Sequence, residues 1–233
     1  MKMLVLELYN YREWTEILGN DREWKIQLSQ HSLVSKLLER SSQIGGILLP
    51  MRYDLLLIPS DGLRKSSLMN LLRYSSRLSP VAVRACLGYG KNPQKAQEEG
   101  YKCVKNLDPG QFRLDSYPDS NVVVAHFDLN GFTDLTFRTN VYDSFVEAQK
   151  FYMDILSTTY HLGGVAQYMG GDNIVAFLSE EEIDQVASIV ENNPRIKVGI
   201  GVGVNARDAL RKATKALTEI RKERRGVWKI LQE

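Results

Sequence analysis

The stretch GGVAQYMGGDNIVAFL, residues 163–178, decides the fold. Two short apolar runs, GGVAQYM (163–169) and IVAFL (174–178), flank Gly170-Gly171-Asp172-Asn173. Their length and branched or aromatic content predict strands, and the glycine pair predicts a hairpin connection between them. Asp172 then stands where the second strand begins. Upstream, VVVAHFD (122–128) is a third apolar run that closes on Asp128. If the strand ending at Asp128 lies antiparallel beside the one starting at Asp172, the two carboxylates meet at one edge of the sheet. Such a pair, with no basic residue beside it in sequence, is a hard oxygen site suited to Mg²⁺.

Outward from this hairpin the chain shows the same order of elements twice. In the first half, MLVLELY (3–9) reads as a strand and residues 21–41 as a helix. ILLPM (47–51) and LLLIP (55–59) read as two strands across a turn, followed by a helix to about Leu78, a strand over 81–89 and a helix over 93–104. In the second half, Gly163-Gly164 and the run to Asp172 follow Gly45-Gly46 and the run to Asp54 at one constant offset. IKVGIGVGVNARDA (196–209) likewise aligns with VRACLGYGKNPQKA (83–96), and 206–223 reads as a helix. Three aligned blocks in one order imply an internal duplication. The expected fold is α+β, two tandem ferredoxin-like β-α-β-β-α-β domains, in which the first and third strands are adjacent and antiparallel. The expected domains are 1–106 and 121–233. Pro109, Gly110 and Pro118, among several Asp and Ser, mark residues 107–120 as a linker.

The halves differ in chemistry. Where the second half has Asp128, the first reads Glu7-Leu8-Tyr9-Asn10, with Tyr9 taken as the aligned position, and Arg52-Tyr53 replace the glycines. Bulky residues there would crowd a phosphate lying over the turn. No metal role is assigned to the first half, and Asp54 reads as a turn residue or relic.

Composition narrows the field. A chain of 233 residues with 43% apolar and 25% charged content is an ordinary globular one. Its net charge of +2 does not select a polyanionic partner, and no nucleic-acid partner is expected. No apolar run approaches the roughly 20 residues of a membrane span, and the N-terminus turns polar too early for a secretory signal, so a cytoplasmic protein is expected. Cys86 and Cys103 lack Cys-x-x-Cys spacing and are expected as thiols in a reducing compartment. His31, His126 and His161 are scattered, which leaves no zinc set. His126, two residues before Asp128 on the same strand face, reads either as a group that supports the site from behind or as a packed imidazole, the latter being favoured.

Two-metal chemistry needs carboxylates that hold ions about 3.5–4 Å apart. Asp128 and Asp172 are the candidates, with the carbonyl of Leu129 as a further oxygen ligand. Gly170 and Gly171 would let backbone approach phosphates. The turn Leu129-Asn130-Gly131-Phe132 leads toward a helix whose first amides offer donors to anionic oxygens, and Asn173 borders the same turn. Arg221 is the candidate cation for a polyphosphate, beside Lys222, with Arg211, Lys212 and Lys215 behind. Against this stands the bland reading: Gly-Gly-Asp-Asn is a common hairpin turn, and RKERR (221–225) a solvated helix end.

The combination FDLNGF (127–132), MGGDN (169–173), GIGVG (199–203) and ATKALTEIRKERRGVWKI (213–230) resembles the palm-type nucleotidyl cyclase and polymerase superfamily. The chain is most similar to the GTP cyclohydrolase III family of archaea, which has a duplicated palm-like domain, Gly-Gly-Asp-Asn in the second copy only, and an opening like Asn10-Tyr11 and Trp14. Asn173 stands where the cyclases place an acidic residue. The resemblance implies conversion of GTP to the formylaminopyrimidine ribonucleotide monophosphate and inorganic phosphate, in flavin or deazaflavin synthesis. It also implies two Mg²⁺ held by Asp128 and Asp172, K⁺ activation, and a homo-oligomer, a dimer or tetramer. The rival readings are a nucleotidyl cyclase of the same superfamily and a non-catalytic GTP sensor.

Overall fold

The computed structural model describes residues 1–223 and 226–232. The chain divides into two compact units. One holds Met1–Lys91 and Lys95–Ser120, the other Asn92–Gln94 and Asn121–Glu233.

The first unit runs β1 (Lys2–Leu8), α1 (Tyr11–Ile17), α2 (Glu23–Gln43), β2 (Leu55–Pro59), α3 (Lys65–Leu78), β3 (Val83–Tyr89), α4 (Pro93–Val104) and β4 (Phe112–Arg113). Its sheet has the order β2-β1-β3-β4, with β1 antiparallel to both neighbours and β4 parallel to β3. The expected strand over 47–51 is reduced to one bridge, Leu49 with Leu57. Pro50 follows at once, and a residue without an N–H cannot continue a ladder. The stretch expected as a linker is part of this unit. Phe112, Leu114 and Tyr117 pack on its core, the N–H and hydroxyl of Ser120 donate to the buried Asp61 carboxylate, and the Lys2 N–H donates to it at 2.7 Å. Composition marked a break there, but three apolar residues spaced among polar ones were enough to dock the segment.

The second unit runs β5 (Val122–Leu129), α5 (Phe132–Arg138), α6 (Val141–His161), β6 (Val165–Gly170), β7 (Asn173–Leu178), α7 (Ile183–Glu191), β8 (Ile196–Gly203), α8 (Ala206–Glu223) and β9 (Trp228–Leu231). The sheet order is β6-β7-β5-β8-β9. Without β9 this is the ferredoxin-like order, with β5 antiparallel to β7 and β8. The sequence reading did not foresee β9, which lies parallel to β8.

Alternation along β5 explains how the layers form. Val123, Ala125, Phe127 and Leu129 enter the core with Phe151, Ile155 and Ile174. The intervening residues, ending in His126 and Asp128, face α8. That helix buries Ala206, Ala209, Ala213, Ala216, Leu217 and Ile220 at helical spacing. A Cβ on Gly199 or Gly201 would come within 2.1 Å of the Ala213 or Ala209 carbonyl oxygen, so these glycines permit the close approach of α8 to β8. Asn140 caps α6, its side-chain oxygen accepting from the Tyr142 and Asp143 amides.

The cysteines are not free thiols. Cys86 of β3 and Cys103 of α4 form a disulfide across 17 residues of sequence. Spacing searches for Cys-x-x-Cys miss a pair that meets only when a helix packs on its sheet. Among the described residues no helix is long and apolar enough to cross a membrane.

Candidate active site

Asp128 and Asp172 are brought to the same end of the second unit's sheet. Phe127 pairs with Ile174 across β5 and β7, so the residues that follow Phe127 and precede Asn173 lie together at the strand ends. Gly170 and Gly171 turn the chain with φ of 102° and 61°. Nothing lies within 4 Å of where a Cβ on Gly170 would stand, so the backbone conformation, not crowding, requires glycine there. Both glycines lie on the hairpin and are not part of the cleft wall.

Asp128 is only 6% exposed. Arg221, in the last turn of α8, donates from Nε to Asp128 Oδ2 at 3.3 Å and from Nη2 to Oδ1. Asp172 is half-buried, and burial, then the charge of Asp128, raise its carboxyl above the ordinary carboxylate range; donation from the amides of Asp172 and Leu129 opposes the rise. Two carboxylates that repel each other beside one arginine fit a divalent cation, whose charge would relieve the repulsion. Among the described residues no third His, Cys, Asp or Glu joins them. Such a set suits Mg²⁺, which completes its shell with waters and phosphate oxygens.

A cleft of about 380 Å³ is lined by Asp128, Leu129, Asn130, Gly131, Phe132, Thr133, Asp134, Asp172, Lys197 and Arg221. Asn130 is pinned at its edge, its N–H donating to the Arg195 carbonyl at 2.8 Å and its side-chain amide to the Pro194 carbonyl at 2.7 Å. Gly131, with φ of 72°, turns the chain into the short helix α5 at Phe132. Thr133, Asp134 and Lys197 escaped the sequence reading. Lys197 could have been found from the strand alignment, because it pairs directly with Asp128 across β5 and β8.

Asn173 supports the turn from behind. His126 Nε2 donates to Asn173 Oδ1 at 3.1 Å, Thr214 meets His126 Nδ1 at 3.3 Å, and the Asn173 amide donates to the Gly170 carbonyl at 3.3 Å. His126 is thus a hydrogen-bonded strut, the supporting group that is the less favoured of the two readings. Burial lowers its pKa, which favours the neutral ring. Among the other candidate cations, Arg211 and Lys212 are engaged by Asp208 at 2.8 and 3.1 Å. Arg224 and Arg225 lie outside the described residues.

In the first unit, strand register places Glu7, and not Tyr9, at the counterpart of Asp128. Leu6 pairs with Leu56 and Ala85 as Phe127 pairs with Ile174 and Val198. Arg84, directly across from Glu7, forms an ion pair with it and donates to the Leu107 carbonyl at 2.9 Å.

A family model described as GTP cyclohydrolase III matches residues 3–233. A protein of Saccharolobus solfataricus named GTP cyclohydrolase III is 40% identical over 233 residues, all of both chains. One of Sulfurisphaera tokodaii with the same name is 39% identical over 221 residues, 95% of this chain and 94% of its own. Among solved structures, the active GGEEF domain of a diguanylate cyclase from Vibrio cholerae covers 49% of this chain and 85% of its own at 11% identity; its TM-score of 0.41 is too low to carry an argument. Full-length identity of this order, on a chain that brings Asp128 and Asp172 to one cleft, is decisive: the chain belongs to the GTP cyclohydrolase III family.

Proposed function

We propose that the cleft of the second unit hydrolyses GTP to 2-amino-5-formylamino-6-(ribosylamino)pyrimidin-4(3H)-one 5'-phosphate and inorganic phosphate, a step of flavin or deazaflavin synthesis. The observation that carries this reading is the convergence of Asp128, Asp172 and Arg221 on one cleft in a chain of this family. One water opens the imidazole ring with the formyl group retained, and two more release the terminal phosphates.

Asp128 and Asp172, with the Leu129 carbonyl, would hold two Mg²⁺; bound metal of this kind polarises phosphoryl oxygens and lowers the pKa of its water. Arg221, whose fork is held by Asp128, adds a fixed positive charge beside the polyphosphate. His126 and Asn173 hold the hairpin so that Asp172 keeps its place. The turn from Asn130 to Phe132 closes the cleft on the other side. K⁺ as activator and a homo-oligomeric assembly belong to the same reading.

The two units also read as copies of one β-α-β-β-α-β ancestor. Asn10 before α1 and Gly131 before α5 share a left-handed conformation, as do Tyr53 and Gly171 in the two hairpins. Both units end in a strand parallel to the preceding one.

The test is incubation with GTP, Mg²⁺ and K⁺, following phosphate release and product mass. A ring-opened, hydrated guanosine monophosphate with two orthophosphates supports the reading. A cyclic nucleotide with pyrophosphate, or unchanged GTP, overturns it.

A further inference from the structure

Lys197 stands directly across from Asp128 on β8. Its side chain shares the α8 face of the sheet, because Gly199 and Gly201, at the same alternation, are the residues that α8 approaches. It is half-buried in the cleft wall with Asp172 and Arg221. Among the described residues it has no hydrogen bond or ion pair, whereas Arg221 is already held by Asp128.

The first unit shows what a cation at this position does when it has an acidic neighbour within reach. There Arg84 occupies the counterpart place and is taken up by Glu7. In the second unit Arg221, reaching from α8, occupies Asp128 in that way and leaves the strand-borne ammonium open to the cleft. Helix α4 ends at Val104, short of the position that would match Arg221, so no helix-borne arginine does this in the first unit.

We infer that Lys197 binds the substrate's phosphate oxygens, as a point charge in the cleft wall that also carries the carboxylate pair. The inference rests on the reading of this cleft as the nucleotide site. An ammonium on a four-carbon stem follows an oxyanion as charge builds on it, whereas the Arg221 guanidinium is fixed in a fork on Asp128. Lys197 therefore contributes to phosphate binding and to charge neutralisation as the phosphates depart.

The experiment uses the full chain and inorganic tripolyphosphate as the probe, with Lys197→Met, Lys197→Gln and Lys197→Arg. Binding of tripolyphosphate with Mg²⁺ is measured by calorimetry, and KM and kcat for GTP by phosphate release. Unfolding curves establish which variants fold. Loss of a charged contact should weaken tripolyphosphate binding by about tenfold or more in the Met and Gln variants and by only a few-fold in the Arg variant. Tripolyphosphate binding by a folded Met or Gln variant equal to that of the unaltered protein overturns the inference. The calorimetry does not depend on turnover, so a chain that returns GTP unchanged, which overturns the proposed function, still shows whether Lys197 binds phosphate.

Discussion

The two units place acidic residues at matching points of matching sheets, yet among the described residues only the second leaves one of them, Asp172, without a cation partner. In the first, Glu7 is neutralised by Arg84 from the adjacent strand and Asp54 by Arg52 from its own hairpin. In the second, Gly170 and Gly171 replace Arg52 and Tyr53, the strand cation Lys197 is unspent, and Asp128 and Asp172 repel each other in the cleft wall. A site that satisfies its own charges has little left to offer a ligand; one that carries unrelieved repulsion favours a cation. The units also fasten their helices differently. Where the second has Gly199 under α8, the first has Cys86 bound to Cys103 of α4. The lesson is that a shared backbone frame does not carry the chemistry; the charges placed at its strand ends do.

The comparison is broken or sharpened by paired substitutions. The largest expected effect is on turnover: Asp172→Asn should remove it by about a hundredfold or more, while Asp54→Asn leaves it within a factor of about two, since exposed ion pairs are worth little. Equal losses in both variants, measured by phosphate release from GTP, would show that the first unit's carboxylates also serve the reaction. Next, Cys103→Ser should lower the unfolding free energy by about 2–3 kcal/mol, as expected for releasing a loop of this length. Denaturant midpoints with and without reductant check this, and a midpoint unmoved by either change would remove the staple from the account of the first unit. The smallest effect concerns pH. Asp172 has a carboxyl raised above its ordinary value of 3.8, so the folded state disfavours its ionised form; the cost is full at neutral pH, fades as the pH falls through the raised value, and is gone below 3.8. Asp172→Asn should therefore raise the metal-free protein's melting temperature slightly at pH 7 and leave it unchanged near pH 3. A variant less stable than the unaltered protein at pH 7 would mean that the amides of Asp172 and Leu129 outweigh the repulsion.

Much of the frame was legible because it is periodic. The hairpin around Gly170-Gly171, the strand ending near Asp128 and the helices over 93–104 and 206–223 all follow from local alternation, turn chemistry and helical spacing. The reading failed where a single residue or a distant partner decided the outcome. Pro50 cut the strand at 47–51 to one bridge, Leu114 and Ser120 drew residues 107–120 onto the first unit, and the disulfide needed α4 to lie on β3. The alignment of Tyr9 with Asp128 failed because a repeat found from glycines fixes register only near those glycines; hydrogen-bonded pairing put Glu7 there instead.

By itself, then, the sequence determined most of the order of strands and helices, β9 and the strand at 47–51 apart, and named Asp128, Asp172 and Arg221, because alternation, glycine turns and residue type are local properties. Only the tertiary structure decided which charge meets which. Arg221 reaches Asp128 from 93 positions away in sequence, Arg84 reaches Glu7 from 77, and Lys197 is left facing the cleft. Such choices depend on strand register and on how closely a helix lies on its sheet, and both are fixed by packing that no local window of sequence contains.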